Sequence, residues 1–256
     1  MKGDPDSNPK PYGLIGLCLS LLGIGALALV IASVIGGTIA LGVGLTFGWP
    51  KVHGFFVDAT TPQTGEGTGP LRLTLEIAIS IYTGTALAIL AFARWRGHSA
   101  WRSIIGFMPV AQHLKDKRLW IIAGLALVYS VAATAALGYF YPKSETWLTM
   151  PSDRPSFVLL FFLAVVLAPI TEELLFRGWI YTSLRSSLGL WPAVILSAAF
   201  FGLAHYESTH LYALAVFPLG LALAAIRERS GSVKASMLFH AFNNLIAVCA
   251  AAFNVG

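Results

Sequence analysis

Charged residues are scarce in this sequence. They make up 11% of its 256 residues, whereas an ordinary soluble domain contains about 25%. Hydrophobic residues make up 56%, and the mean hydropathy is +0.73. A soluble fold of this size could not bury so much apolar surface, but a lipid bilayer accommodates it. The composition therefore excludes an ordinary soluble domain and predicts an all-α, polytopic membrane protein.

Cysteine is also rare, and the sequence contains neither an internal repeat nor a low-complexity tract. The two cysteines, Cys18 and Cys249, lie far apart in apolar runs, unlike the dense cysteines of secreted disulfide frameworks. We therefore expect no structural disulfide. The net charge of +5 does not predict a nucleic-acid partner, because basic residues of membrane proteins lie in loops and report orientation.

The apolar runs predict about seven membrane spans, within a range of six to eight, in a single membrane domain over residues 1–256. A span needs about 20 apolar residues. The first run is too long for the apolar region of a signal peptide, so we expect a retained span, with a break near Gly36 and Gly37 as an alternative. The predicted spans are 14–40, 71–93, 119–141, 157–182, 191–206, 211–226 and 233–253.

Basic residues favour a cytoplasmic N-terminus. With that orientation thirteen of the seventeen Lys and Arg residues fall on the cytoplasmic side, as the positive-inside rule requires. Six of them lie among aromatic residues in 94–118. This stretch is either an amphipathic segment in the headgroup region or an ordinary basic loop. We expect an integral protein of a prokaryotic cytoplasmic membrane.

Polar side chains interrupt three of the last four spans. Glu172, Glu173 and Arg177 lie in one apolar run, His205 in the next, and His240 and Asn244 in the last. A charged side chain at bilayer depth costs several kcal/mol, so it is retained mainly where it has a partner or a function. Glu172 precedes the turn at Gly189 by seventeen positions and His205 follows it by sixteen. Antiparallel helices joined there would therefore bring Glu172 to face His205.

Spacing within each helix indicates which side chains share a face. Glu173 and Arg177 are four residues apart and can pair, which leaves Glu172 for another partner. Phe201 with His205, and His240 with Asn244, have the same spacing. Taken singly, a histidine or asparagine in a span could simply hydrogen-bond a neighbouring helix for about 0.6–2 kcal/mol. Asn243, beside Asn244, is a second candidate for that role.

Together these groups suit the hydrolysis of an amide bond. A carboxylate and an imidazole beside one water can remove its proton, and we assign this role to Glu172 and His205. Hydrogen-bond donors to the developing oxyanion contribute about 3–4 kcal/mol each. We assign that role to His240 and Asn244.

Three motifs resemble those of a known family. Glu172-Glu173-x-x-Phe176-Arg177, Phe201-x-x-x-His205 and His240-x-x-x-Asn244 are similar to the motifs of the CAAX prenyl-protease and bacteriocin-processing (ABI) membrane proteases. The resemblance covers a predicted catalytic core at residues 157–250; residues 1–150 carry no such motif. It implies an all-helical core with the site reached from within the bilayer. It also implies the roles assigned above, with Glu173, Arg177 and Phe201 supporting the geometry.

The metal requirement stays open at this stage. Glu172, His205 and His240 could hold Zn²⁺ with one open position, but the sequence has no His-Glu-x-x-His. Because a glutamate mechanism explains the same residues, we favour one without a required metal.

The expected partner is a membrane protein or peptide substrate within the lipid bilayer. Prenylated tails, bacteriocin leaders and C-terminal sorting signals are alternative substrates, and no feature indicates an oligomeric state. A proton-coupled carrier and a non-catalytic binding or regulatory protein remain alternatives. An ATP-driven role is disfavoured because no Gly-x-x-x-x-Gly-Lys is present.

Overall fold

The fold is helical throughout the part of the chain that the structure describes. The computed structural model describes residues 12–50, 52, 69–110, 115–140, 150–206 and 211–253. No β-strand occurs in these ranges, and the predicted all-α class is confirmed. The ranges contain seven main helices: α1 (Leu14–Phe47), α2 (Gly69–Gly97), α3 (Lys117–Phe140), α4 (Arg154–Leu188), α5 (Leu190–Ala204), α6 (Leu211–Ser230) and α7 (Val233–Phe253).

Six of these helices are long and apolar enough to cross a membrane, and the chain is an integral membrane protein. The exception is α5, which has 15 residues. At about 1.5 Å per residue it extends only about 22 Å, less than the roughly 30 Å of a bilayer core. The six candidate spans equal the lower limit of the predicted range of six to eight. The predicted seventh span, 191–206, is a shorter apolar helix.

Helices α1 and α4 extend furthest beyond their predicted ends. Helix α1 continues through Gly36 and Gly37 to Phe47, so the alternative of a break at these glycines is wrong. Helix α4 has 35 residues, about 52 Å at the usual rise, where the sequence predicted 157–182. Its midpoint is Thr171, so Glu172 lies near the centre of the longest span.

Small residues allow α1 and α2 to approach closely. A Cβ atom added to Gly84 of α2 would lie 2.6 Å from the backbone oxygen of Ala28 and 3.3 Å from Cβ of Ala32. Close helix contacts in membranes rely on small residues of this kind. The α1–α2 pair is joined to α4 by Trp179, whose Nε1 donates to Ser20 Oγ at 2.8 Å.

The capping segment, residues 98–110, folds against the start of α7. It begins with a 3₁₀ turn, His98–Ala100, followed by a helical turn, Trp101–Ile104. Gly106 O accepts a hydrogen bond from Val233 N at 2.8 Å, and Met108 O accepts one from Ser232 Oγ at 2.6 Å. The first bond uses a backbone N–H of the helix N-terminus that has no intrahelical partner, and the second uses the side-chain hydroxyl of the residue just before the helix.

The stretch 94–118 contains several elements. Residues 94–97 complete α2, Ile104 and Ile105 of the capping segment are buried, and 111–114 lie outside the described residues. The predicted alternatives, an amphipathic segment in the headgroup region and a basic loop, both stay predictions.

Beside α3, the backbone N–H of Arg118 and the guanidinium of Arg229 hold the pKa of the Asp116 carboxyl below its usual range.

Two π-helical segments interrupt the regular α-helical hydrogen bonding of α4, one on each side of its centre. They span Phe162–Leu167 and Leu174–Ile180, and the α-helical stretch Ala168–Glu173 lies between them. Pro169 has no N–H to donate to the preceding turn, which accounts for an irregular ladder before it. π-Helical turns are frequent at functional sites, and Glu172 and Glu173 lie between the two.

Candidate active site

Glu172 on α4 faces residues from three other helices, α2, α5 and α7. Its Oε1 accepts a hydrogen bond from the hydroxyl of Tyr82 on α2 at 2.9 Å. Its Oε2 lies 3.8 Å from Nε2 of His205 and 3.9 Å from Nε2 of His240. Both distances are longer than a hydrogen bond allows, and Oε2 has no hydrogen-bond partner. The structure therefore brings Glu172 to face His205, as the register around Gly189 predicts, and adds His240.

The tautomer of His205 follows from its second nitrogen. His205 lies at the C-terminal end of α5, where its Nδ1 is 2.8 Å from the backbone oxygen of Phe201. A carbonyl oxygen only accepts, so Nδ1 carries the hydrogen. In the neutral ring Nε2 is then the acceptor, and it points toward Glu172. The four-residue spacing of Phe201 and His205 thus orients the imidazole.

Glu173 and Arg177 form a fully buried ion pair. Arg177 Nη1 donates to Glu173 Oε1 at 2.9 Å, and neither side chain has measurable exposure. Arg177 Nη2 donates to the backbone oxygen of Gly220 on α6 at 2.9 Å. The guanidinium also lies over the ring of Phe201, 4.3 Å from its centre. The predicted pairing is confirmed, and it joins α4, α5 and α6.

His240 connects this ion pair to Glu172. Its Nδ1 is 3.2 Å from Oε1 of Glu173, the oxygen that also accepts from Arg177. Because an ionised carboxylate only accepts, Nδ1 is the donor and Nε2 is the nitrogen that faces Glu172. Sequence spacing did not indicate the contact between Glu173 and His240, which are 67 residues apart.

Asn244 lies one turn after His240 and contacts α4. Its Nδ2 donates to the backbone oxygen of Ala164 at 2.8 Å, within the first π-helical segment. An amide has two N–H groups, so this bond uses one of them. Its neighbour Asn243 is buried, and Asn243 Oδ1 has no hydrogen-bond partner. The oxyanion role of Asn244 stays a prediction.

Tyr82 is the residue of this site that sequence reasoning missed. It belongs to the part of the chain in which no motif was found, and it is 90 residues from Glu172. The available signal was a tyrosine inside a long apolar run, because a buried tyrosine hydroxyl usually has a hydrogen-bond partner.

No group of three or more His, Cys, Asp or Glu side chains within the described residues has a geometry suited to a metal ion. Nδ1 of His205 and Nδ1 of His240 each contact another oxygen, which leaves Nε2 of each ring as the nitrogen that faces Glu172. The glutamate mechanism and the zinc alternative at Glu172, His205 and His240 both stay predictions.

Comparison with known proteins places a family domain over this site. Residues 154–246 match the family described as "Type II CAAX prenyl endopeptidase Rce1-like". Over this stretch the chain is similar to that family. The family resemblance expected from the three motifs is confirmed over these residues, which include Glu172, His205, His240 and Asn244. The match begins at the first residue of α4 and leaves α1, α2 and α3 outside it.

Individual relatives are of two kinds. An Escherichia coli protein described as "Uncharacterized 24.3 kDa protein" is 27% identical over 190 residues, 66% of this chain and 83% of its own length. "CAAX prenyl protease 2" of Rattus norvegicus is 37% identical over 89 residues, and that of Homo sapiens 33% over 107 residues. These segments cover 28% and 32% of the mammalian proteins. No solved structure matches the chain significantly.

Proposed function

We propose that the protein is an intramembrane endopeptidase of the CAAX type. Its substrate is a peptide bond near a membrane-associated end of a protein or peptide. The Rce1-like domain supports the enzyme class. The mechanism rests on the surroundings of Glu172 Oε2. This oxygen has no hydrogen-bond partner, and it lies 3.8 Å from Nε2 of His205 and 3.9 Å from Nε2 of His240.

This spacing suits a shared water. One water oxygen can lie about 2.8 Å from each of two groups that are this far apart, and polar contacts beyond about 3.5 Å are commonly bridged in this way. Glu172 and the Nε2 acceptor of His205 then serve as the base for that water. The side chains of Glu172 and His205 are only 12% and 22% exposed, which limits competing solvent around the site.

The proposed reaction is a simple hydrolysis. The water oxygen forms a bond to the scissile carbonyl carbon while its proton passes to Glu172 or His205. The C–N bond then breaks, and the same proton passes to the leaving amine. The second N–H of Asn244 donates to the oxyanion between these steps, and the donor role assigned to His240 requires a hydrogen on Nε2 in addition to the one on Nδ1. Glu173 and Arg177 hold His240 in position, and no metal is required.

Substitution of Glu172 tests this assignment. We expect Glu172→Gln and His205→Ala to lower cleavage at least 100-fold, the usual contribution of a positioned base. Glu76→Gln, a carboxylate of an exposed ion pair on α2, should leave it unchanged. The measurement compares membrane-protein termini by proteomics in cells that express each variant. Substrate termini that persist in both site variants would contradict the proposal, and a change in solute uptake instead would favour the carrier.

A chelator separates the metal alternatives. Purified protein that keeps its full rate after dialysis against a strong zinc chelator supports the metal-free mechanism. A lost rate that zinc restores would instead assign Glu172, His205 and His240 as ligands.

The protein is further proposed to lie in a prokaryotic cytoplasmic membrane with its N-terminus inside. The Escherichia coli relative supports the host. Arg177 is buried and no longer counts as a loop residue. Twelve of the remaining sixteen Lys and Arg residues still fall on the cytoplasmic side when α5 is counted as a crossing, as in the seven predicted spans.

A further inference from the structure

The residue that holds Glu172 in place comes from outside the Rce1-like domain. The Tyr82 hydroxyl donates to Glu172 Oε1 at 2.9 Å. At the same position the backbone oxygen of Tyr82 accepts from Thr171 Oγ1 at 3.1 Å. One residue of α2 therefore donates one hydrogen bond and accepts another, and the two bonds fix two consecutive residues of α4. The family match starts at residue 154 and contains no part of α2.

The bond to Oε1 distinguishes the two carboxylate oxygens of Glu172. Oε1 is occupied by Tyr82, whereas Oε2 faces both histidines. The terminal torsion of a glutamate has a broad, roughly two-fold profile, so packing alone defines its orientation weakly. A donor fixed on a neighbouring helix removes this freedom. Catalytic groups need to be held within about 0.5 Å of the productive geometry.

We propose that Tyr82 is a positioning residue of the active site, and that its hydroxyl makes Oε2 of Glu172 the oxygen that accepts the proton of water. This inference rests on the proposed function. Tyr82 acts through Glu172 and does not contact the water. It follows that the catalytic unit extends beyond residues 154–246 and includes α2. The half of the chain without a motif thus contributes to the chemistry.

Tyr82→Phe tests the role of the hydroxyl in the full-length protein. Phenylalanine keeps the ring and the backbone oxygen that accepts from Thr171, so the α2–α4 contact remains. We expect kcat to fall about 10- to 100-fold, the rate equivalent of a hydrogen bond to a charged group, with KM unchanged. The matched control is Tyr139→Phe, the same change at an exposed tyrosine of α3. The assay uses fluorogenic membrane peptides, including one with a prenylated C-terminal cysteine motif.

The comparison with Glu172→Gln separates this proposal from the proposed function. If Glu172→Gln is inactive and Tyr82→Phe keeps kcat within twofold of wild type, the positioning role is refuted while the protease assignment stands. If Glu172→Gln retains full activity, the assignment of the base fails first. A fall in kcat together with a lowered unfolding midpoint would indicate lost packing and would also count against the positioning role.

Infrared spectroscopy supplies a readout that does not depend on turnover. The difference spectrum between wild type and Glu172→Gln isolates the bands of that carboxylate. The same difference measured in the Tyr82→Phe background should show the bands shifted, because the carboxylate has lost a donor. Identical bands in the two backgrounds would overturn the proposal, even if no peptide were cleaved.

Discussion

Replacing Glu173 with glutamine should destabilise the bundle far more than the same replacement at Glu76. The two carboxylates form ion pairs of the same kind, each with an arginine four residues away, at 2.9 and 3.0 Å. They differ in burial. Glu173 and Arg177 have no exposed side-chain surface, whereas Arg72 and Glu76 are 53% and 24% exposed.

The magnitude follows from that difference in burial. Removing one partner of a buried pair costs about 3–5 kcal/mol, because the other charge is left uncompensated. We expect about 3 kcal/mol for Glu173→Gln, since the amide oxygen can still accept from Arg177. An exposed pair of this spacing contributes about 0.3–0.5 kcal/mol. The two variants should therefore differ by roughly 2.5 kcal/mol, about 60-fold in the folding equilibrium.

The assay is reversible denaturation in lipid-containing micelles, followed by tryptophan fluorescence. A double variant, Glu173→Gln with Arg177→Met, should recover part of the loss, because it removes the uncompensated charge. The reasoning is refuted if the Glu173 and Glu76 variants differ by less than about 0.5 kcal/mol, the scale of an exposed pair. It is also refuted if the double variant is less stable than Glu173→Gln alone.

Two glycine substitutions test the close contacts of the N-terminal half, with unfolding measured in the same way. Gly106→Ala should lower the free energy of unfolding by about 1–3 kcal/mol. Gly106 has a φ of +63°, and an added Cβ would lie 1.9 Å from Nη2 of Arg227. An unchanged unfolding midpoint would mean that the capping segment does not pack on α6. Gly84→Ala should cost about 1–3 kcal/mol, since its Cβ would overlap the backbone of Ala28 at 2.6 Å. Gly36→Ala is the control, because no atom lies within 4 Å of the Cβ that it would add. It should be neutral or stabilise α1 by up to about 1 kcal/mol. Equal losses of stability at Gly84 and Gly36 would contradict a packing effect.

The sequence determined the features that depend on spacing within one helix or across one short turn. The pair of Glu173 with Arg177 and the shared face of the Phe201 and His205 rings both follow from the four-residue repeat of a helix. The facing of Glu172 and His205 follows from nearly equal distances to the turn at Gly189. Helix geometry fixes such relations before any tertiary contact forms, so they could be predicted.

Tertiary structure decided the relations between helices that are distant in sequence. The contacts of Tyr82 with Glu172, of His240 with Glu173 and of Asn244 with Ala164 join residues 90, 67 and 80 positions apart. Each depends on how one helix is rotated and shifted against another, and side-chain packing sets that arrangement rather than the repeat of either helix. The sequence therefore predicted the two carboxylates and how their roles divide, whereas only the packed bundle placed a tyrosine of α2 on one of them.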